Sequence, residues 1–198
     1  VPSIRRTFMK IVIVGVGALG SHLVLFIRNL KAQIVLVDFD KVESKNLMSQ
    51  VHTKMGVGKN KTMAMQQTLN GLFGVKVEAV PYRLTTDNAK QLLGGAGLIV
   101  DCLDNAASRQ IMQDYARANN IPCLHGAVDA DGSFGRVAWD EVFVIDHEGA
   151  PGTPTCEDGR HLPFIARVSS YMADAVQKFV EQNRKVAYQV YPGGVAAV

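Results

Sequence analysis

The sequence predicts an α/β fold: a mostly parallel sheet with helices on both faces and an antiparallel extension near the C-terminal third. Three observations predict it. A glycine turn, GVGALGS at residues 15–21, joins the apolar run KIVIV to a segment of helical spacing. Apolar runs and helical patterns then alternate through two-thirds of the chain, the signal for right-handed βαβ units. After Gly126 the helical patterns stop and two strand-like runs follow directly.

Taken in order, residues 10–14 form the first strand, and the turn with Gly15, Gly17 and Gly20 opens a helix over 18–30. Glycine permits the sharp turn and lets backbone approach a phosphate, while the free N–H groups at the helix start favour negative charge, as in Rossmann-like nucleotide folds. Such a turn does not distinguish NAD, FAD, S-adenosylmethionine and ATP. Further strands are expected at 33–38, 75–80, 97–102 and 121–125, with helices at 59–72, 87–93 and 105–119. SFGRVAWD and EVFVID read as adjacent strands. Residues 147–163, rich in Gly and Pro and without apolar periodicity, read as a functional loop. A last helix is expected over about 164–182, then a strand-like VAYQVY and a frayed tail, PGGVAAV.

The 198 residues, 47% of them apolar, suffice for one core, and the chain reads as a single domain over 1–198. A formal charge of +3, from 21 basic and 18 acidic residues, with no basic run interleaved with aromatics, argues against nucleic acid as a partner. No apolar stretch approaches the roughly 20 residues of a membrane span, and the start carries no export signal, so a cytoplasmic protein is expected. Val1 is not methionine and Met9 directly precedes the first strand, which leaves open whether residues 1–8 are native. Cys102 and Cys123 sit in apolar runs and read as small buried residues.

Asp38 ends the second strand, where a carboxylate can accept hydrogen bonds from a ribose. A dehydrogenase fits that far. It does not account for an amide at Asn46, a cation at Lys61 and a carboxylate at Asp104, all expected at or beyond the carboxyl ends of strands. A triphosphate enzyme needs a lysine on phosphate and a carboxylate for Mg²⁺, so the inventory favours ATP with magnesium over NAD.

With GVGALGS, LVDFDKVESKNLMSQ, the G-x-x-K of Gly58 to Lys61, VDCLDNAASR and PTCEDG in this order over roughly residues 10–180, the chain resembles the ThiF/MoeB/HesA family, bacterial relatives of ubiquitin-activating enzymes. The resemblance implies an adenylyltransferase. Such an enzyme activates the C-terminal carboxylate of a ubiquitin-fold or sulfur-carrier protein, usually ending in Gly-Gly, as an acyl-adenylate with release of pyrophosphate. It implies Asp38 on the ribose, Asn46 and Lys61 toward the phosphates, Gln50 among the nucleotide-binding residues, Asp104 on Mg²⁺, Arg109 in the pocket or else paired with a carboxylate, and a homodimer. Asp101 reads as a support for Asp104. Cys156, in the loop before the last helix, falls at the cysteine that in some relatives bonds covalently to the carrier.

Two departures stand out. The arginine usual three residues after the asparagine is Ser49, which offers no charged fork; the candidate replacements are Lys45, Lys54, Lys59, and Arg5 or Arg6 from a second subunit, and a non-catalytic subunit supporting an active paralogue is the alternative reading. The two CxxC pairs that bind zinc in many relatives are absent, and the five histidines show no ligand spacing, so no zinc is expected. Met63 and Met65 read as core. Trp139 packs on the added strands or lines the partner face.

Overall fold

The computed structural model describes residues 8–145 and 159–198. One sheet of eight strands organises them: β1 (Met9–Val14), β2 (Ala32–Val37), β3 (Glu78–Val80), β4 (Leu98–Asp101), β5 (Cys123–Val128), β6 (Gly135–Trp139), β7 (Tyr188–Tyr191) and β8 (Gly194–Ala197). Their order is β3-β2-β1-β4-β5-β6-β7-β8. The first five are parallel and the last three join antiparallel. The chain moves outward from β1 on one side to β3 and on the other from β4 onward, so the carboxyl ends of β1 and β4 flank the switch point where open α/β sheets bind ligands.

Strand alternation sorts the core into two layers. Ile11, Ile13, Leu36, Leu98 and Val100 face α1 (Ala18–Ile27), α2 (Lys61–Phe73) and α5 (Leu162–Gln182). Val12, Val14, Val37 and Ile99 face α3 (Ala89–Leu93) and α4 (Ala106–Ala118). Because the central strands are covered on both faces, they read as continuous apolar runs.

The expected elements are present, with three corrections. β3 begins at Glu78 rather than residue 75. EVFVID forms no strand over its described residues, 141–145: β6 is already paired on both sides, by β5 and β7, so no ladder is left for the run that follows it. Phe143 and Ile145 still turn inward and Val142 and Val144 outward. The PGGVAAV tail is not frayed, because Pro192 and Gly193 make a two-residue turn that pairs β8 with β7. Met65 is core as expected, whereas Met63 is 45% exposed. Trp139 packs on Phe179 and donates from Nε1 to the Val186 carbonyl at 2.9 Å.

Candidate functional site

The glycine turn separates structural need from open space. Gly15 has φ +93°, and a Cβ on it would lie 2.6 Å from the Cys102 carbonyl oxygen at the end of β4. A Cβ on Gly20 would lie 1.9 Å from the Gly15 carbonyl oxygen. Packing therefore requires both residues to be glycine. Gly17, the N-cap of α1, has only the Gln50 Nε2 near its missing Cβ, at 4.0 Å. Its side of the turn is open at the helix start, where unpaired N–H groups attract anions.

Asp38 leaves β2 beside this turn. Its Oδ2 accepts from the Val16 N–H at 2.7 Å and Oδ1 from the Asp40 N–H at 2.9 Å. Burial pushes its carboxyl above the ordinary value, while these two N–H groups and the charge of Lys61 pull it back down. A carboxylate has about four lone-pair sites, so acceptor capacity is left over.

Lys61 is the first residue of α2, and the N-cap Asn60 fixes it. Asn60 Oδ1 accepts from the Thr62 N–H at 2.9 Å, and its amide donates to the carbonyls of Asp38 and Asp40. The helix start is thereby tied to the loop after β2. The Lys61 side chain is buried except for 11%, with Nζ 3.3 Å from Asp40 Oδ2. Lys59 instead reaches Gln67 on the surface.

Between β2 and α2, Asn46 is buried in a short 3-10 turn. Its Oδ1 accepts from the Glu43 N–H at 2.8 Å, which orients the amide and leaves Nδ2 to donate elsewhere. Ser49 and Gln50 follow, both buried, and Gln50 Oε1 has no hydrogen-bond partner. His52, a residue the sequence reading passed over, donates from Nε2 to the Val16 carbonyl at 3.0 Å; its Nδ1 is buried without a partner. Burial holds its pKa down at about 4.

Beyond the end of β4, Asp104 is exposed, with Asn105 Nδ2 3.5 Å from its Oδ1. Among the described residues no group of three or more His, Cys, Asp or Glu side chains gathers. A cation beside Asp104 would need a ligand's oxygens to complete its shell, as Mg²⁺ on a nucleotide does. Asp101 does not touch Asp104. It is fully buried, accepts from the Leu103 N–H and pairs with Arg109 and His125. Arg109 therefore packs onto a carboxylate instead of extending into open space. Arg5, Arg6 and Cys156 lie outside the described residues.

Residues 4–191 match the model of the ThiF family. The chain belongs to the ThiF family. Relatives include the SAMP-activating enzyme E1 of Haloferax volcanii, 34% identical over 127 residues that make up 63% of this chain and 47% of that protein. The sulfur carrier protein adenylyltransferase of Thermus thermophilus is 36% identical over 122 residues, 60% of this chain and 45% of that one. The adenylyltransferase and sulfurtransferase UBA4 of Debaryomyces hansenii is 35% identical over 182 residues, 83% and 39% of the two chains. This ThiF chain spans less than half the length of each of these relatives. A crystal structure of MccB of E. coli with ATP shares the fold at TM-score 0.78 and 19% identity, covering 97% of this chain and 63% of that one.

Proposed function

We propose that this ThiF-family chain is the adenylation unit of an ATP-dependent adenylyltransferase that activates the C-terminal carboxylate of a ubiquitin-like or sulfur-carrier protein. One observation carries the reading. Gly17 at the start of α1, Asp38 just after β2 and Asp104 just after β4 all follow the carboxyl ends of neighbouring parallel strands, and the Lys61 ammonium acts on the Asp38 carboxyl, at the edge where open α/β sheets bind ligands. The substrate class comes from what the relatives in Haloferax and Thermus are called.

In this reading Asp38 accepts from ribose hydroxyls, while the start of α1, Asn46 Nδ2, Gln50 and Lys61 meet the phosphates. Asp104 holds Mg²⁺, which when bound neutralises phosphate charge. The carrier's terminal carboxylate attacks the α-phosphorus, a new C–O–P link forms, the bond to the bridging oxygen breaks, and pyrophosphate leaves. Fixed donors around the α-phosphate reduce the repulsion between two anions most as charge builds there. No general base is required, because the nucleophile is already ionised near neutral pH. Cys156 is the candidate for a later covalent link to the carrier, a homodimer is the expected assembly, and the carrier is expected to end in Gly-Gly.

Calorimetric titration with Mg-ATP and with NAD, followed by pyrophosphate exchange in the presence of a sulfur-carrier protein, tests the reading. Mg-ATP binding and an exchange that Asp104→Ala loses would support it. Binding of NAD alone would overturn it.

Ser49 favours a second reading, a non-catalytic subunit that supports an active paralogue. Binding of ATP without exchange by the isolated chain, and exchange once a paralogue co-purifies, would select it.

A further inference from the structure

We propose that Arg109, Asp101 and His125 form a positioning device for Asp104, so that Arg109 acts on the metal-holding loop and not on the nucleotide. The inference rests on the reading of Asp104 given under the proposed function. Leu103, the residue before Asp104, is gripped on both sides of its backbone. Its N–H donates to Asp101 Oδ1 at 2.9 Å, and its carbonyl accepts from Arg109 Nη2. The same Nη2 donates to the Gly126 carbonyl at 3.2 Å, tying the loop to β5. Nε of Arg109 lies 2.6 Å from Asp101 Oδ2, an ionic contact without an aligned hydrogen bond. On the far side of Asp104, Asn105 caps α4 by accepting from the Ser108 N–H at 2.9 Å, and the Arg109 N–H donates to the Asn105 carbonyl. Asp104 thus sits between two fixed points while its own side chain stays exposed.

Asp101 is itself held from behind. His125, fully buried, has Nδ1 2.7 Å from Asp101 Oδ2 and Nε2 3.0 Å from Asp140 Oδ1, so the ring bridges the two carboxyl groups. Phe143 stacks on the ring at 4.2 Å, and Gln113 and Arg117 hold Asp140 at 2.7 Å each. The hydrogen-bonded core of this cluster, Asp101, His125 and Asp140, is buried or nearly so, and such a network gives the firm support that a ligand-holding side chain needs to keep its geometry.

Lysine at 109 keeps the charge but lacks the planar fork that reaches Asp101, Leu103 and Gly126 together. The test measures ATP affinity of wild type, Arg109→Lys, His125→Gln and Asp104→Asn with Mg²⁺ and with EDTA, alongside hydrogen exchange of the Leu103 amide in the ligand-free protein. The expected result for Arg109→Lys is a loss of about tenfold in the Mg²⁺ enhancement of affinity, approaching that of Asp104→Asn. Metal-free ATP affinity should hold within about twofold, with faster Leu103 exchange. His125→Gln should move the same two readouts in the same direction. An equal loss with and without metal would mean that Arg109 touches the nucleotide, and an unchanged enhancement with a lowered melting temperature would mean a merely structural role; either overturns the proposal. If wild type binds ATP without Mg²⁺ enhancement, or not at all, the underlying reading of Asp104 fails instead.

Discussion

His52 and Val16 are joined by a buried hydrogen bond of 3.0 Å, ring Nε2 to backbone carbonyl, while the N–H of Val16 donates to Asp38. The middle of the glycine turn is therefore held from both sides of one residue. Since Nε2 carries the proton that bond requires, Nδ1 is left as a bare acceptor in a buried place near the charge of Lys61. A second proton on the ring is opposed by burial first and by Lys61 after it.

That opposition predicts a pH dependence of stability. Above pH 6.5 His52 is neutral in both the folded and unfolded chain and the stability has no slope from it. Between 6.5 and about 4 the unfolded chain takes up a proton that the fold refuses, so stability falls with pH; below about 4 both states are protonated and the slope ends. The full loss is roughly 3 kcal/mol at 1.36 kcal/mol per pH unit. His52→Gln, which can still donate to Val16, should flatten this part of the curve in urea unfolding measured from pH 7 to 4. An identical slope in the variant would exclude His52 as its source.

The three turn glycines should separate cleanly on substitution. Gly20→Ala puts a methyl against backbone at 1.9 Å and should cost on the order of 3 kcal/mol or more of stability. Gly17→Ala meets no atom closer than 4.0 Å and should change stability by less than about 1 kcal/mol. If a phosphate approaches the open side, the same Gly17→Ala should weaken ATP binding by at least about tenfold. Thermal melts and calorimetry on the pair read both effects. A Gly17→Ala protein with unchanged ATP affinity would move the phosphates away from this turn.

The parallel half of the sheet was legible because its strands are covered on both faces, which leaves long apolar runs between helical patterns. Asp38 and Lys61 could be placed from sequence because they fall at a strand end and a helix start. The fold brings Asp38 onto the Val16 N–H of the glycine turn and Gln50 to the open side of Gly17, while Asn46 bonds back to the Glu43 N–H in its own loop. What lay hidden depends on contacts between distant segments. Nothing local in CLHGAV says that His125 will sit between Asp101 and Asp140, 24 and 15 residues away in sequence. The same holds for EVFVID, whose alternation is real but whose place beside β6 is taken by β7, about 50 residues later in the chain. Asp40 could have been noticed, two residues after Asp38 in DFD, as a partner for the lysine.

Ser49 falls where the family resemblance leads one to expect an arginine, and introducing that arginine is the obvious attempt to strengthen ATP binding. The surroundings argue for a different outcome. Ser49 is only 1% exposed, so the larger, charged side chain has to enter a packed place or displace its neighbours. Ser49→Arg should lose roughly 1–3 kcal/mol of stability, an overpacking cost, before any benefit to the nucleotide. A melting temperature equal to wild type, with tighter Mg-ATP binding, would show that the pocket opens for an arginine after all.

The ion pair of Lys61 with Asp40 is lopsided, 11% exposed on the lysine side chain and 49% on the aspartate. An exposed carboxylate can swing into water at little cost, whereas the buried ammonium is held where α2 begins. In the proposed reading Asp40 pairs with the ammonium that a phosphate would take over, and the two substitutions should then differ in kind. If Lys61 meets phosphate as proposed, Lys61→Ala removes a charge-assisted hydrogen bond, and Mg-ATP affinity should fall about 10- to 100-fold. Asp40→Asn removes only a competitor for the same ammonium, and should leave affinity within about threefold of wild type or raise it. Calorimetry on both variants decides the matter. A large loss in Asp40→Asn would make the aspartate part of the nucleotide or metal contact, and an unaffected Lys61→Ala would take the lysine out of it.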